Sequence, residues 1–325
     1  MIISKTPYRI SFFGGGSDYP EWYKKFGGEV ISTTINKYVY ITIRHLPSFF
    51  NHNYRLVYSK QELVNELSQI KHKPVREIIK YFKIKYGLEI HYDGDLPAKS
   101  GVGSSSAFVV GLLNAIWKLK NIHSTKHNLA KKSIFLETKV LKEVVGSQDQ
   151  IACAYGGFNN IIFKKDGSFK VNKIKINKKR KNQLENNLFL VFSRIQRTAE
   201  IVAKSFVQNL PKNKINEMEK INSLVKDAKN IIKNQDLDNF GNLLNESWEF
   251  KKRLSNMVSN NKIDQMYKYA IESGATGGKL LGAGGGGFFV FYVKQNAHKK
   301  FITKMKKSLI IPFKFETQGS QTKII

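Results

Sequence analysis

The sequence predicts an α+β protein made of two domains, and three observations carry that reading. The chain has 325 residues, longer than one average domain and suited to two of about 150 residues, either able to bury a core of its own. Blocks of strand character and blocks of helical character are mixed along it, as in α+β domains. A seam falls near residues 180–187, which divides the chain into expected domains at 1–183 and 184–325.

Period-two segments open the chain. YRISFF and EVISTTINKYVYITIRH, with their β-branched and aromatic residues, read as strands. The region from Gln61 to Tyr86 is expected to be helical, and LEIHYDGDLP to be another strand. AFVVGLLNAIWKLK is too densely apolar for a surface helix and is expected as a buried one. A further helix is expected over Ser133–Val145, then a hairpin in FNNIIFKKDGSFKVNKIKI that turns at Asp166 and Gly167. The second half opens with the apolar strand NLFLVFS and continues through helical segments between Thr198 and Ser273. It closes with the glycine-rich KLLGAGGGGFFVFYV, a helix, and a strand at LIIPFKFE.

A formal charge of +29 raises nucleic acid as a partner. The positive residues are overwhelmingly lysine, scattered with asparagine and isoleucine along the chain, arginine is scarce, and no nucleic-acid-binding motif is recognisable. Nucleic acid is therefore not the expected partner. The densest run, KINKKRKNQ at 175–183, reads as a solvated hinge, with a binding arm as the alternative. A broad positive field draws anionic substrates, phosphorylated metabolites among them, towards a cleft. No apolar stretch approaches the roughly 20 residues a membrane helix needs, and MIISKTPYRISFF lacks the parts of a signal peptide. Cys153 is the single cysteine, so intramolecular disulfides are impossible and a reducing cytoplasm is the expected setting.

Two glycines and four serines take six of the seven positions Ser100–Ser106, directly before the buried helix. This is not a dinucleotide fingerprint, because the third glycine is absent, nor a Walker A loop, because no Gly-Lys-Ser/Thr follows. It sits after a strand and at a helix mouth, where backbone N–H groups and the helix dipole converge on an anion. On its own it reads equally as a phosphate loop or as simple helix capping. Two more glycine clusters stand apart from it, TPYRISFFGGGSDYP at 6–20 and LLGAGGGGFF at 280–289.

Together, in this order and with these flanks, the three segments resemble the signature motifs of the GHMP kinases, and the resemblance spans nearly the whole chain. Within that superfamily YRISFFGGGSDYPEWY, GGEVISTTINKYVYI and LPAKSGVGSSSAF look most like the D-glycero-D-manno-heptose 7-phosphate kinases. The implied fold is an amino-terminal domain like the second domain of ribosomal protein S5 and a ferredoxin-like carboxy-terminal domain, with the active site in the cleft between them.

The resemblance also implies roles. Ser100, Gly101, Val102, Gly103, Ser104, Ser105 and Ser106 would wrap the ATP phosphates, small side chains letting the phosphates approach the backbone amides. Ser105 matches the magnesium-binding serine, with Ser104 or Ser106 able to exchange roles with it, and Glu137 matches the glutamate that completes the metal site. Asp149 corresponds to the catalytic aspartate, which orients the sugar hydroxyl and accepts its proton. Arg9 is the basic residue paired with it, stabilising developing charge. Gly16, Ser17 and Asp18 match the substrate loop, where Asp18 would hold sugar hydroxyls. Gly284, Gly285 and Gly286 of the third motif would support the nucleotide loop. Without the motif context, Glu137 reads as a solvated helical carboxylate, Arg9 as a surface arginine and Asp18 as a turn former.

A heptose that already carries a 7-phosphate needs a second anion site. Arg194 and Arg197 precede a helix that Thr198 can cap, which joins guanidinium donors to a helix amino terminus. Two helix-start arginines in solvent are the alternative. The activity implied is ATP- and Mg²⁺-dependent phosphorylation of the anomeric hydroxyl of D-glycero-D-manno-heptose 7-phosphate to the 1,7-bisphosphate, serving nucleotide-activated heptose for a bacterial surface polysaccharide. The rivals are a kinase of a free sugar such as fucose or mannose, and a non-catalytic RNA-binding or regulatory protein on the same fold.

Overall fold

The computed structural model describes residues 1–195 and 199–325. The first strand, β1 (Ile2–Phe13), is followed by the short helix α1 (Pro20–Phe26) and by β2 (Gly28–His45). β2 is the hub of a nine-stranded sheet, since its 18 residues give it room for four neighbours. β1 pairs with it from Ile2↔Ile43 to Phe13↔Ile31, all antiparallel. A hairpin of β3 (Tyr54–Val57) and β4 (Gln61–Val64) joins β5 (Leu88–Gly94) through the parallel pairing of β3.

The helix expected over 61–86 is confined to α2 (Lys73–Tyr81), and β5 follows it. Pro74 sits in the first turn of α2, where its missing N–H is harmless, so the helix starts there and no earlier. Upstream, Glu62 accepts hydrogen bonds from the Lys71 and His72 amides, which tie the end of the hairpin to the helix start.

Helix α3 (Ser104–Leu119) lies on the sheet, with Val109, Val110, Leu112, Leu113 and Ile116 all fully buried. The next helix, α4 (Lys126–Phe135), begins before the expected Ser133 because Thr125 caps it, accepting from the Asn128 amide. A wider π-helical turn over Leu136–Val140 ends this helical stretch short of Val145. α5 (Gln148–Tyr155) leads into the expected hairpin of β6 (Phe158–Phe163) and β7 (Phe169–Lys173), with Gly167 in its turn.

The basic run at 175–183 is mostly solvated, as expected, and is helical in its second part. It opens α6 (Lys178–Asn187), capped by Asn177, and Arg180 is docked through its guanidinium onto the Ile231, Ile232 and Gln235 carbonyls. Then come β8 (Leu188–Phe192), α7 (Ala199–Val207), α8 (Ile215–Lys233), α9 (Asn239–Lys252), α10 (Asn261–Glu272), β9 (Ala275–Leu280), β10 (Phe288–Val293), α11 (His298–Lys304) and β11 (Leu309–Ile311). The second sheet is antiparallel in the order β11-β8-β10-β9, and every residue of β10 is buried.

The single strand expected at LIIPFKFE is two. Pro312 has no N–H for a ladder, and past it β12 (Phe315–Glu316) and β13 (Gln321–Ile324) return to the first sheet, on β2 and β1 respectively. A division at 183/184 therefore leaves out the last strands, which belong with the first sheet. The core is shared in the same way: apolar side chains of β1, β2 and α3 form one cluster with Leu224, Val225, Phe240 and Leu244 of α8 and α9.

Candidate active site

A cleft of about 400 Å³ lies between the two sheets' elements, lined by β1, the mouth of α3, the start of α5, α9, β9 and the turn after it. Residues 97–103 turn from β5 into α3, and Gly103 caps the helix in a left-handed conformation. The first N–H groups of a helix have no partner inside it, and Ser104, Ser105 and Ser106, which carry them here, line the cleft with Lys99, Gly101 and Gly103. Ser100 and Val102 face the other way. Both are fully buried, and the Ser100 hydroxyl donates to the Pro97 carbonyl at 2.6 Å.

Arg9 reaches the cleft because of a defect in the sheet. Pro7 cannot donate to the β1–β2 ladder, and the register shifts between Pro7 and Arg9. Past the shift the Arg9 amide donates to the Val102 carbonyl at 3.0 Å. Its guanidinium donates to the Gly101 carbonyl at 2.5 Å and to both oxygens of Asp149, each at 2.7 Å. One side chain thus fixes the loop and the carboxylate to each other. The Asp149 side chain keeps 20% exposure, so it is open to the cleft while the Arg9 side chain, at 5%, is enclosed.

Asp18 is buried beside this pair and lines the same cleft. It accepts from the Gly16 amide at 3.0 Å and the Gln148 amide at 3.3 Å. Burial, helped by the neighbouring Asp149 charge, pushes its carboxyl up to about 6. Gly146 makes its placement possible, since a Cβ there would stand 1.9 Å from Asp18 Oδ2. Ser17, expected at the substrate, is instead structural: its hydroxyl is buried, donating to the Gly14 and Glu29 carbonyls and accepting from the Glu29 amide.

The metal pair that the resemblance implies is Glu137 with Ser105, or with Ser104 or Ser106 in its place. The hydroxyl that meets Glu137 is that of Ser106, donating at 2.9 Å, while Ser105 is exposed at the cleft. With Gly103 as the cap, the phase of α3 turns its third residue inward. Gln150 also donates to Glu137 Oε2, and Glu137 Oε1 is buried with no partner among the described residues. Burial, with Glu143 adding to it against the hydrogen bonds of Ser106 and Gln150, raises this carboxyl to about 8.

The third motif, expected over Gly282–Gly287, touches the 100–106 loop through its two ends and not through Gly284, Gly285 and Gly286. Phe288 N donates to the Ser100 carbonyl at 3.0 Å, and a Cβ on Gly282 would lie 2.6 Å from Gly101 Cα. Gly284, Gly285 and Gly286 pack on the backbones of Val258 and Ile195, the Gly285 amide donating to Val258 at 2.8 Å. Of the expected second anion site, Arg194 is exposed and is not among the described residues lining the cleft. Arg197 and Thr198 lie outside the described residues.

Two cleft residues carried no signal in the sequence, Lys251 on α9 and Lys279 on β9. In a chain so rich in lysine nothing local marks Lys251, whereas Lys279 opens the glycine-rich KLLGAGGGG segment without standing out there as a site residue. Ser11 and Gln148 likewise line the cleft with a buried oxygen, Ser11 Oγ and Gln148 Oε1, that has no partner among the described residues.

Residues 70–157 match the amino-terminal domain of the GHMP kinases and residues 227–311 their carboxy-terminal domain. The chain is 30% identical to a D-glycero-alpha-D-manno-heptose 7-phosphate kinase of Campylobacter jejuni, covering 98% of this chain and 97% of that protein. It is 24% identical to a galactokinase of Pyrococcus furiosus, over 98% of this chain and 96% of the relative. Among solved structures, a D-glycero-D-manno-heptose 1-phosphate kinase from Bacteroides thetaiotaomicron superposes with a TM-score of 0.82 at 25% identity, covering 100% of this chain and 99% of the other.

Proposed function

The chain belongs to the GHMP kinases, ATP-dependent phosphotransferases, and on that premise we propose that its acceptor is D-glycero-D-manno-heptose 7-phosphate, phosphorylated at the anomeric hydroxyl to the 1,7-bisphosphate. The observation that carries the chemistry is the Arg9–Asp149 pair held against the Gly101 carbonyl at the mouth of α3. The acceptor is supported by the heptose 7-phosphate kinase that matches almost end to end. The two heptose kinase relatives are named by different positions, 7 and 1, and a product phosphorylated at both accommodates both names. Synthesis of nucleotide-activated heptose for a surface polysaccharide is the setting such a product fits.

Each residue has a physical task in this reading. The unpartnered amides at the start of α3 bind the phosphates of ATP, helped by the positive end of the helix dipole. Asp149 accepts the hydrogen of the anomeric hydroxyl and aims its oxygen along the line of transfer. Arg9 holds the carboxylate with both oxygens engaged and lends its charge to the reacting centre. Asp18, Ser11 and Gln148 offer buried polar atoms to the sugar hydroxyls. Such a site rejects acceptors that leave those atoms unpaired.

Glu137 and Ser106 fit a magnesium ion, because a buried carboxylate oxygen without a partner beside a hydroxyl is an oxygen donor set of the kind that cation takes. When bound, the ion would neutralise phosphate charge. The test is ADP release with a panel of sugars and sugar phosphates: fastest turnover on the heptose 7-phosphate supports the assignment, and preference for free fucose, mannose or the unphosphorylated heptose overturns it.

A further inference from the structure

We propose that Lys279 and Lys251 form the site for the phosphate that the sugar already carries, separate from the amide cradle that takes ATP. This inference rests on the heptose 7-phosphate reading above. The pair takes the role expected of Arg194, which is exposed and is not among the described residues lining the cleft.

Lys279 projects from β9 into the cleft and is only 4% exposed. Its ammonium donates to the Phe12 carbonyl at 2.7 Å, across from the second sheet to the first. Lys251 comes from the last turns of α9 and donates to the Leu280 and Gly282 carbonyls at 2.8 and 2.6 Å. An ammonium has three N–H donors, so Lys279 keeps two for a ligand and Lys251 one. No carboxylate among the described residues forms an ion pair with either lysine, although the cleft holds Asp18, Glu143, Asp149 and Glu200. The carbonyls hold the two cations without neutralising them.

Enclosed cations with carbonyl partners alone are costly, because desolvation is offset by a dipole and not by an opposite charge. The strain shows in both groups: burial pulls Lys279 down to about 7, with the Arg9 charge adding, and lowers Lys251, with Lys279 and Arg9 adding. A dianionic phosphate monoester removes that cost and engages the spare donors. Arg9 does not compete for it, since its guanidinium is committed to Asp149 and Gly101. The ATP phosphates are provided for by α3. What remains for the lysines is the charge on the acceptor, and Ser11 and Gln148 supply polar atoms for the hydroxyls between.

The test compares wild type, Lys279→Met, Lys251→Met and the double variant on D-glycero-D-manno-heptose 7-phosphate and on the same heptose without its phosphate, varying ATP separately. Losing one charge-assisted contact should raise KM for the phosphorylated sugar roughly 10- to 100-fold. KM for ATP and turnover on the unphosphorylated sugar should stay within about twofold, so the double variant loses the preference for the phosphate. Lys279→Gln, which keeps a donor for the Phe12 carbonyl, stands in should the Met variant not fold. Wild type preferring the unphosphorylated heptose would defeat the functional reading before any variant is made. Wild type preferring the 7-phosphate, with that preference intact in the variants, overturns this inference alone. So does a fall in turnover on both sugars at unchanged KM, which would assign the lysines to the transferred phosphoryl group.

Discussion

Arg9 and Asp149, 140 residues apart, meet through two parallel hydrogen bonds of 2.7 Å, and the same guanidinium holds the Gly101 carbonyl of the phosphate loop. One side chain therefore positions the Asp149 carboxylate and the 97–103 turn relative to each other, the two parts to which the proposed function gives the acceptor and the nucleotide. Asp149→Asn should keep ATP binding and lose about 2 to 4 powers of ten in turnover, the scale for a positioned acid or base. Single-turnover kinetics with a separate nucleotide-binding titration checks both halves, and near-normal turnover in a folded variant would remove Asp149 from the chemistry.

The hydroxyl facing Glu137 belongs to Ser106. Ser106→Ala and Glu137→Gln should each raise the magnesium concentration needed for half-maximal rate, and Ser105→Ala should leave it nearly unchanged. A magnesium titration of the three variants that shows the reverse order would return the role to Ser105.

Asp18 links the site to stability. Its carboxyl lies at about 6 in the fold against 3.8 ordinarily, so within that window the folded protein holds a proton that the unfolded chain has released. Stability falls as the pH climbs through the window, and the penalty is constant above it. Asp18→Asn should therefore stabilise the fold at about pH 8 by on the order of 1 to 3 kcal/mol, seen as a raised melting temperature, and change it little at about pH 3, below both values. Turnover should drop at the same time. Melting curves at the two pH values decide it, and equal shifts at both would show that ionisation is not the cause.

Gly101 has a φ of 82°, and a Cβ on it would stand 2.6 Å from the Leu281 carbonyl. Gly101→Ala is strained twice, by the left-handed backbone and by the third motif. It should raise KM for ATP at least about tenfold, on the scale of the 1 to 3 kcal/mol cost of local strain, while the fold survives. Kinetics with ATP varied at saturating acceptor measures this, and an unchanged KM would mean that the two glycine turns need not interlock.

The meeting of the 100–106 loop, Arg9, Asp18 and Asp149 in one cleft was within reach of the sequence only through the resemblance of three glycine clusters to the GHMP kinase motifs, since each of these parts taken alone reads as a cap, a turn former or a surface charge. What could not be read depends on phase and on distance. Choosing Ser106 over Ser105 needs the start of α3 at Gly103 to a single residue. Lys251 differs from dozens of solvated lysines only in where α9 places it, and Lys279, although it opens the third glycine-rich segment, shows its reach into the cleft only once β9 is placed. Arg180 is hidden for the same reason, since its docking within a mostly solvated run shows only once the Ile231 and Gln235 carbonyls that receive it are known. The return of β12 and β13 to the first sheet follows from Pro312 and from pairing partners some 280 to 320 residues away, which no window of sequence contains.

That return has a consequence for synthesis. β1 takes β13 along one edge, Ile2 opposite Ile324, so the outer neighbour of β1 leaves the ribosome about 320 residues after it. At roughly 5 to 20 residues per second, β1 waits tens of seconds with a row of backbone donors and acceptors open to any passing strand. Its first residues, IISKT, carry a lysine among the isoleucines, and a charge on an edge is one way of discouraging such encounters. The nascent chain, more than the finished enzyme, is where this fold is exposed to misassembly.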